Sequence, residues 1–318
     1  WPLGAPHWYD LFFMLLFVLG GVALLAFASV PDWAVAQRAA PGWRGRVWAR
    51  LSRHWRGDPR QWNVLVRGLG VLGGLYFVGL IWAHGIATMD FLIPLVPGWK
   101  DPILPAQHAL VGLQGGVALT VVALFLLRTV GGYKAYIAMD QFWALSKLML
   151  ALCLLWFYFW WSQFIIFWYG RQPVERDILQ LIMFGPYRGV FILAFLLSSP
   201  LPFLLLMWNP VRRSVVGPTV AAALILVGGL LNMVRLYVGP YQVHTFEFHA
   251  TWTVPAARLP DAVDLMVLVG ALGGVAFLYL VGVKLFGAVS LWEVKELLTL
   301  RRVRTFLHTR VLVLAKPE

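Results

Sequence analysis

Apolar stretches of about 20 residues recur along this chain, divided by short polar or arginine-rich segments, and that length is what a helix needs to cross the hydrocarbon layer of a membrane. Seven such stretches stand out, at 9–30, 62–85, 106–127, 142–169, 187–208, 215–237 and 262–286. The fourth, within "FWALSKLMLALCLLWFYFWWSQFIIFWYG", is longer than a bilayer requires and predicts a tilted or projecting helix. Lipid offers backbone groups no partners, so each span is expected to be helical; the short alternating segments of a membrane barrel are not found. The pattern therefore predicts an all-α, polytopic membrane helical bundle of seven to eight transmembrane helices over residues 1–300, followed by a basic cytoplasmic tail at 301–318.

Composition agrees. Of the 318 residues 60% are hydrophobic and 13% charged, with 17 Trp and 21 Phe, where soluble domains carry about 25% charged residues. The net charge of +12 would suggest nucleic acid in a soluble protein, but here the basic residues flank the spans. In a seven-span topology 18 Lys and Arg fall on one side, seven of them arginines within 31–61, and only Lys100, Arg171, Arg176 and Arg258 fall on the other. The arginine-rich side is expected to be cytoplasmic, in a bacterial inner membrane, with the C-terminus. The N-terminus and the segments 86–105, 170–186 and 238–261 are then periplasmic. The single cysteine, Cys153, can form no internal disulfide and reads as a packed apolar residue. The sequence opens on Trp1 rather than Met, which reads as a trimmed start, and it shows no signal peptide.

Candidate chemistry lies in the few polar residues at membrane depth, which are costly there and usually face the bundle interior. "WAHGIATMDFLIPLVPGWKD" places His84 and Asp90 at the outer mouth of the second span. Pro94 and Pro97 forbid a helix beyond it, and the segment is apolar enough to fold back against its neighbours. Gln107, His108 and Gln114 open the third span, Gln163 lies near the outer end of the fourth, and Asn232 and Arg235 lie in the outer half of the sixth. These spans converge on one outer region. A quinol head group needs a hydrogen-bond partner at each oxygen and a base for its protons, and a histidine beside a carboxylate suits that work. His84 and Asp90 are therefore the candidate catalytic pair, and His84, Asp90, Gln107, His108 and Arg235 the candidate quinol-binding set. Arg235 could equally pair with Asp90 or Glu247. Asp140 and Lys147, two helical turns apart at the inner start of the fourth span, with Gln163, form a candidate proton path, or else a cytoplasmic ion pair and packing. His244, Glu247 and His249 fit no defensible metal signature, so no metal and no covalent cofactor is expected on the chain. The Gly pairs at 73–74, 115–116, 228–229 and 273–274 suggest close helix contacts.

"MDFLIPLVPGWKDPILP" resembles the segment joining two spans through an aspartate and a Pro-x-Trp turn in quinone-linked membrane subunits of the NrfD/PsrC type. "SKLMLALCLLWFYFWWSQFIIFWYGRQPVE" is similar to a helix of the ActF-type subunit of alternative complex III, and "LPFLLLMWNPVRRS" and "SLWEVKELL" also resemble elements of that family. The resemblance covers roughly residues 8–300. It implies paired NrfD-like four-helix bundles and menaquinol or other quinol chemistry near the periplasmic face. It also implies partners: an iron–sulfur or haem c protein on that face and a second NrfD-like membrane subunit. Asp90 matches the aspartate before the Pro-x-Trp turn. Gln163 matches the ActF-type glutamine, where other relatives carry an acid.

Two functions follow as expectations. The chain is a quinol-binding membrane subunit of a quinol-oxidising electron-transfer complex whose redox centres sit on partner subunits. Alternatively it is a structural or proton-conducting partner subunit that binds no quinol itself. A secondary transporter is disfavoured, since that class shows paired broken helices in two repeats and only one interrupted segment is found here. Nucleic acid is not an expected partner; lipid is.

Overall fold

The computed structural model describes residue 2, residues 4–243 and residues 254–314, the side chains of 301–303 and 309–314 aside. The chain is an all-α polytopic membrane protein. Seven of its segments are helical, long and apolar enough to cross a bilayer. The long helices are α1 (His7–Ala36), α3 (Pro59–Phe91), α4 (Leu104–Thr129), α5 (Met139–Gly170), α10 (Val216–Tyr241) and α11 (Ala262–Phe286). Between them lie α2 (Gly42–Leu51), α6 (Pro173–Leu179), α7 (Arg188–Ser198), α8 (Pro200–Leu206) and α9 (Asn209–Arg212), and α12 (Leu291–Leu300) follows α11.

The chain divides into two compact units. The first comprises Trp1–Met14 and Val78–Leu259. In it α10 packs against α7, α4 and α8, and α5 packs against α4 and α8. Two buried clusters fill the space. One joins Ala118, Val121, Phe142, Met149, Cys153, Leu206 and Ile225. The other lies at the end where α3 stops: Leu92, Val96 and Trp99 pack with Ile178, Leu181, Ile182, Met183, Tyr187 and Leu236. The turn after α3 thus folds back into protein as its apolar sequence predicts, with only a 3₁₀ turn at Ile93–Leu95, since Pro94 and Pro97 can supply no amide protons.

The fifth span differs from the uninterrupted helix expected over 187–208. Ser199 separates α7 from α8. Pro202 stands four residues after Ser198 and has no N–H to offer its carbonyl. Gln114 supplies the missing donor, Nε2 to Ser198 O at 2.9 Å, and Ser199 Oγ donates to Cys153 O at 2.9 Å. Side chains of α4 and a carbonyl of α5 thereby complete a helix break within the apolar interior. α10 approaches this break through Gly228, where a Cβ would fall 2.6 Å from the Ser198 amide nitrogen. Of the glycine pairs, only 228–229 makes close contacts in this way. A Cβ added at Gly73, Gly74, Gly115, Gly116, Gly273 or Gly274 would meet nothing within 4 Å beyond its own helix.

The second unit comprises Leu15–Phe77 and Pro260–Glu318. The Nε1 groups of Trp33 and Trp48 both donate to Leu285 O, at 3.1 and 2.8 Å. Asp32, 7% exposed, accepts from the Trp292 amide at 3.0 Å, which ties the N-terminus of α12 to α1. Beyond α12, residues read from sequence only as a basic tail form an antiparallel hairpin of β1 (Arg301–Phe306) and β2 (Thr309–Leu314), with Arg301 opposite Leu314.

Candidate functional site

α3 runs on to Phe91, so His84 lies two turns inside the helix rather than at its mouth. Its Nδ1 faces Leu80 O at 2.9 Å. A carbonyl can only accept, so Nδ1 carries the proton and Nε2 keeps its lone pair in the neutral ring. Thr88, fully buried, donates to His84 O at 2.6 Å. The His84 ring faces Gly112 of α4, where even one methyl would collide with the imidazole. Its ring centroid is 5.2 Å from that of His108. His108 Nε2 in turn meets Tyr237 OH of α10 at 3.1 Å. Three helices thus contribute His84, His108 and Tyr237 to one row.

A second group of polar side chains lies deeper. Asp101, 3% exposed, caps α4: its Oδ1 accepts from the Ile103 and Leu104 amides at 3.1 and 3.0 Å. Its Oδ2 accepts from Gln163 Nε2 of α5. Arg235, 1% exposed, donates through Nε and Nη2 to Asn232 Oδ1 at 3.1 and 2.7 Å. The guanidinium lies 5.2 Å over the Phe191 ring and interacts electrostatically with Asp101. Gln107 sits one turn into α4 from the cap and is 1% exposed. Several atoms here are buried without a protein partner: both amide atoms of Gln107, His108 Nδ1, Gln163 Oε1, Asn232 Nδ2 and Arg235 Nη1. Buried polar atoms are nearly always satisfied, and each orphan costs about 1–3 kcal/mol.

Of the residues singled out from sequence, His84 and His108 meet in the row, Gln163 and Arg235 act on Asp101 in the second group, and Gln107 is buried on the same helix as His108; Asp90 joins neither group. Six residues along a helix turn the direction by about 240° and advance about 9 Å, so Asp90 faces away from His84. It interacts instead with the Asp10 carboxyl and the His7 imidazole. Arg235 engages Asn232 and Asp101 rather than Asp90, while Glu247, with His244 and His249, lies outside the described residues. Asp140 and Lys147 make no ion pair; Lys147 Nζ sits 4.1 Å over the Trp143 ring, which Arg213 also approaches at 5.2 Å. Asp140 lies in the first turn of α5, where a carboxylate favours the helix dipole. Gln163 lies 16 residues further along α5 than Lys147, about 24 Å away along the helix.

Sequence reasoning passed over Asp101, although Asp-Pro just before an apolar run is a helix-start signal. It also passed over Tyr237, which a count of two residues on from Arg235 could have flagged, and His7 and Asp10, which no local signal connects to Asp90.

Burial lifts the Asp101 carboxyl to about 6 from an ordinary 3.8, against the opposing bonds from Gln163 and the Leu104 and Ile103 amides. An acid raised in the folded state stabilises the fold below its unfolded value, and that contribution is lost as pH rises through the folded one. Stability is therefore expected to fall by about 2 kcal/mol between pH 4 and pH 6.5 on this group's account. Asp101→Asn keeps the cap, and Gln163 can turn its free Oε1 to the new amide. Thermal melts of the purified protein should lose that pH-dependent fall in the variant; an identical profile in both proteins would contradict the assignment.

No family model matches the chain, and no curated protein matches it either.

Proposed function

We propose that the chain is an integral membrane subunit of a quinol-oxidising electron-transfer complex of the NrfD or alternative complex III type. In this reading it binds quinol or menaquinol beside His84, His108, Gln107 and Arg235, at an end of the first unit facing the periplasm of a bacterial inner membrane. Iron–sulfur or haem c centres on partner subunits take the electrons, and a second NrfD-like subunit completes the membrane part.

The observation that carries the reading is the group of buried, unpartnered polar atoms on α4, α5 and α10. The set suits a dihydroxy aromatic ring. Arg235 Nη1, Asn232 Nδ2 and Gln107 Nε2 can donate to its oxygens, and Gln107 Oε1 and His84 Nε2 can accept from its hydroxyl groups. The bond from Nδ1 to Leu80 O holds the proton on one nitrogen and leaves Nε2, which faces Gly112, with a lone pair for base work. The hydrogen bond between His108 and Tyr237 gives a transferred proton a next station.

The test is a fluorescence titration of the purified chain with a short-tailed menaquinol analogue, since Trp99 and Trp156 are buried and Trp160 half-buried in this unit. Saturable quenching with a midpoint below about 100 μM, near −5.5 kcal/mol, is expected. No saturation up to about 1 mM would leave the chain a structural or proton-conducting partner subunit.

A further inference from the structure

The second unit contains a recess of about 450 Å³ that quinol chemistry does not use. It lies where α1 ends, α2 ends and α3 begins, and its lining changes character along its length. Phe27 and Val30 of α1 and Val64 of α3 supply an apolar side at span depth. His54, Arg60 and Gln61 supply polar lining in and next to the α2–α3 turn, with Arg60 one helical turn from Val64 on the same face of α3. That turn is a built element. Gln61 Oε1 accepts from the Arg56 and Gly57 amides at 2.7 and 3.0 Å, and its Nε2 donates to His54 O at 2.8 Å. His54 Nε2 accepts from Arg53 Nε at 2.8 Å, which draws a second guanidinium to the rim. Asp58, the one acid in the lining, is occupied in capping α3 through the Gln61 amide at 2.8 Å.

We infer that this recess binds one anionic phospholipid, its phosphate between Arg60 and His54 and an acyl chain along Phe27, Val30 and Val64. Free phosphate would satisfy the basic side alone and leave the apolar side without an occupant. A zwitterionic lipid would bring its own cation beside Arg53 and Arg60. Seven arginines lie between residues 38 and 60 of the segment that carries the α2–α3 turn, and each basic residue near an anionic membrane surface adds about 1 kcal/mol of attraction. Trp55, in the lining, suits the level of the head groups.

The experiment is native mass spectrometry and thermal melting of the full chain in detergent, titrated separately with dioleoylphosphatidylglycerol, dioleoylphosphatidylcholine and inorganic phosphate. Phosphatidylglycerol is expected to bind as one retained equivalent and raise the melting temperature, at least tenfold more tightly than phosphatidylcholine. Phosphate alone should do neither. Arg60→Gln combined with His54→Gln should weaken phosphatidylglycerol binding at least tenfold. Val64→Trp, at an exposed position, should do the same by filling the apolar side. Equal affinity for the two lipids overturns the proposal, as does retention unchanged in both variants. A phosphate-induced shift equal to that from phosphatidylglycerol would make the recess a free-anion site and overturn it as well. The wild-type comparison of lipids stands even where a variant folds poorly.

Discussion

Arg235→Met is expected to abolish saturable binding of a quinol analogue and to lower the melting temperature more than any other single change in the first unit. The guanidinium is buried at the level where α10 meets α7 and α4, with two bonds to Asn232 and the field of Asp101 acting on it. Methionine restores most of the volume but none of the charge. Asn232 Oδ1 loses its donors, and a buried carboxyl loses the cation that faces it. Stranding one member of a buried charged group costs on the order of 3–5 kcal/mol. Arg235→Lys should fall between, because an ammonium keeps the charge and cannot reproduce the planar fork. The interaction with Asp101 has its own check. If the two groups act on each other, Arg235→Met combined with Asp101→Asn destabilises by at least about 1 kcal/mol less than the sum of the single changes. Strict additivity would show that they are independent.

His84→Ala should slow quinol oxidation by the assembled complex at least tenfold, about 1.4 kcal/mol of barrier, while leaving the melting temperature close to wild type. General base catalysis contributes about 10²–10⁴-fold, so a larger loss fits the same account. His84→Gln keeps a hydrogen-bonding side chain but cannot take up a proton, and should be as slow as the alanine variant. Gly112→Ala should act in the same direction without touching the base itself, because the added methyl forces the imidazole out of its place. Asp90→Asn should have a much smaller effect on turnover, since Asp90 is engaged with Asp10 and His7 rather than with the histidine row. Turnover unchanged in both His84 variants, with the complex intact, would remove the histidine from the chemistry.

The spans were legible because apolar length alone marks them; six coincide with single helices and the fifth with the broken pair α7 and α8. The folded-back turn at 92–103 was legible as well, from two prolines inside an apolar stretch. What escaped depends on phase and on distant partners. The sequence puts His84 and Asp90 close in number, and they were placed at the end of a helix and just beyond it. The helix instead continues to Phe91, and its 100° turn per residue sends the two side chains apart. Asp101 looked like a loop acid because nothing local reveals that α5 lays Gln163 against it. The break at Ser199 was hidden because its prolines sit in an otherwise continuous apolar run, and because the glutamine that repairs it lies 84 positions away.

The central claim is that buried polar groups of α4 and α10, with His84, hold a quinol head group. Photoaffinity labelling with an azido-quinone, followed by peptide mapping, tests this most directly. The account predicts that label falls on peptides spanning 80–115 and 230–243, and that excess menaquinol analogue suppresses it. Saturable, competed label confined to the second unit, with those two peptides clean, would contradict it.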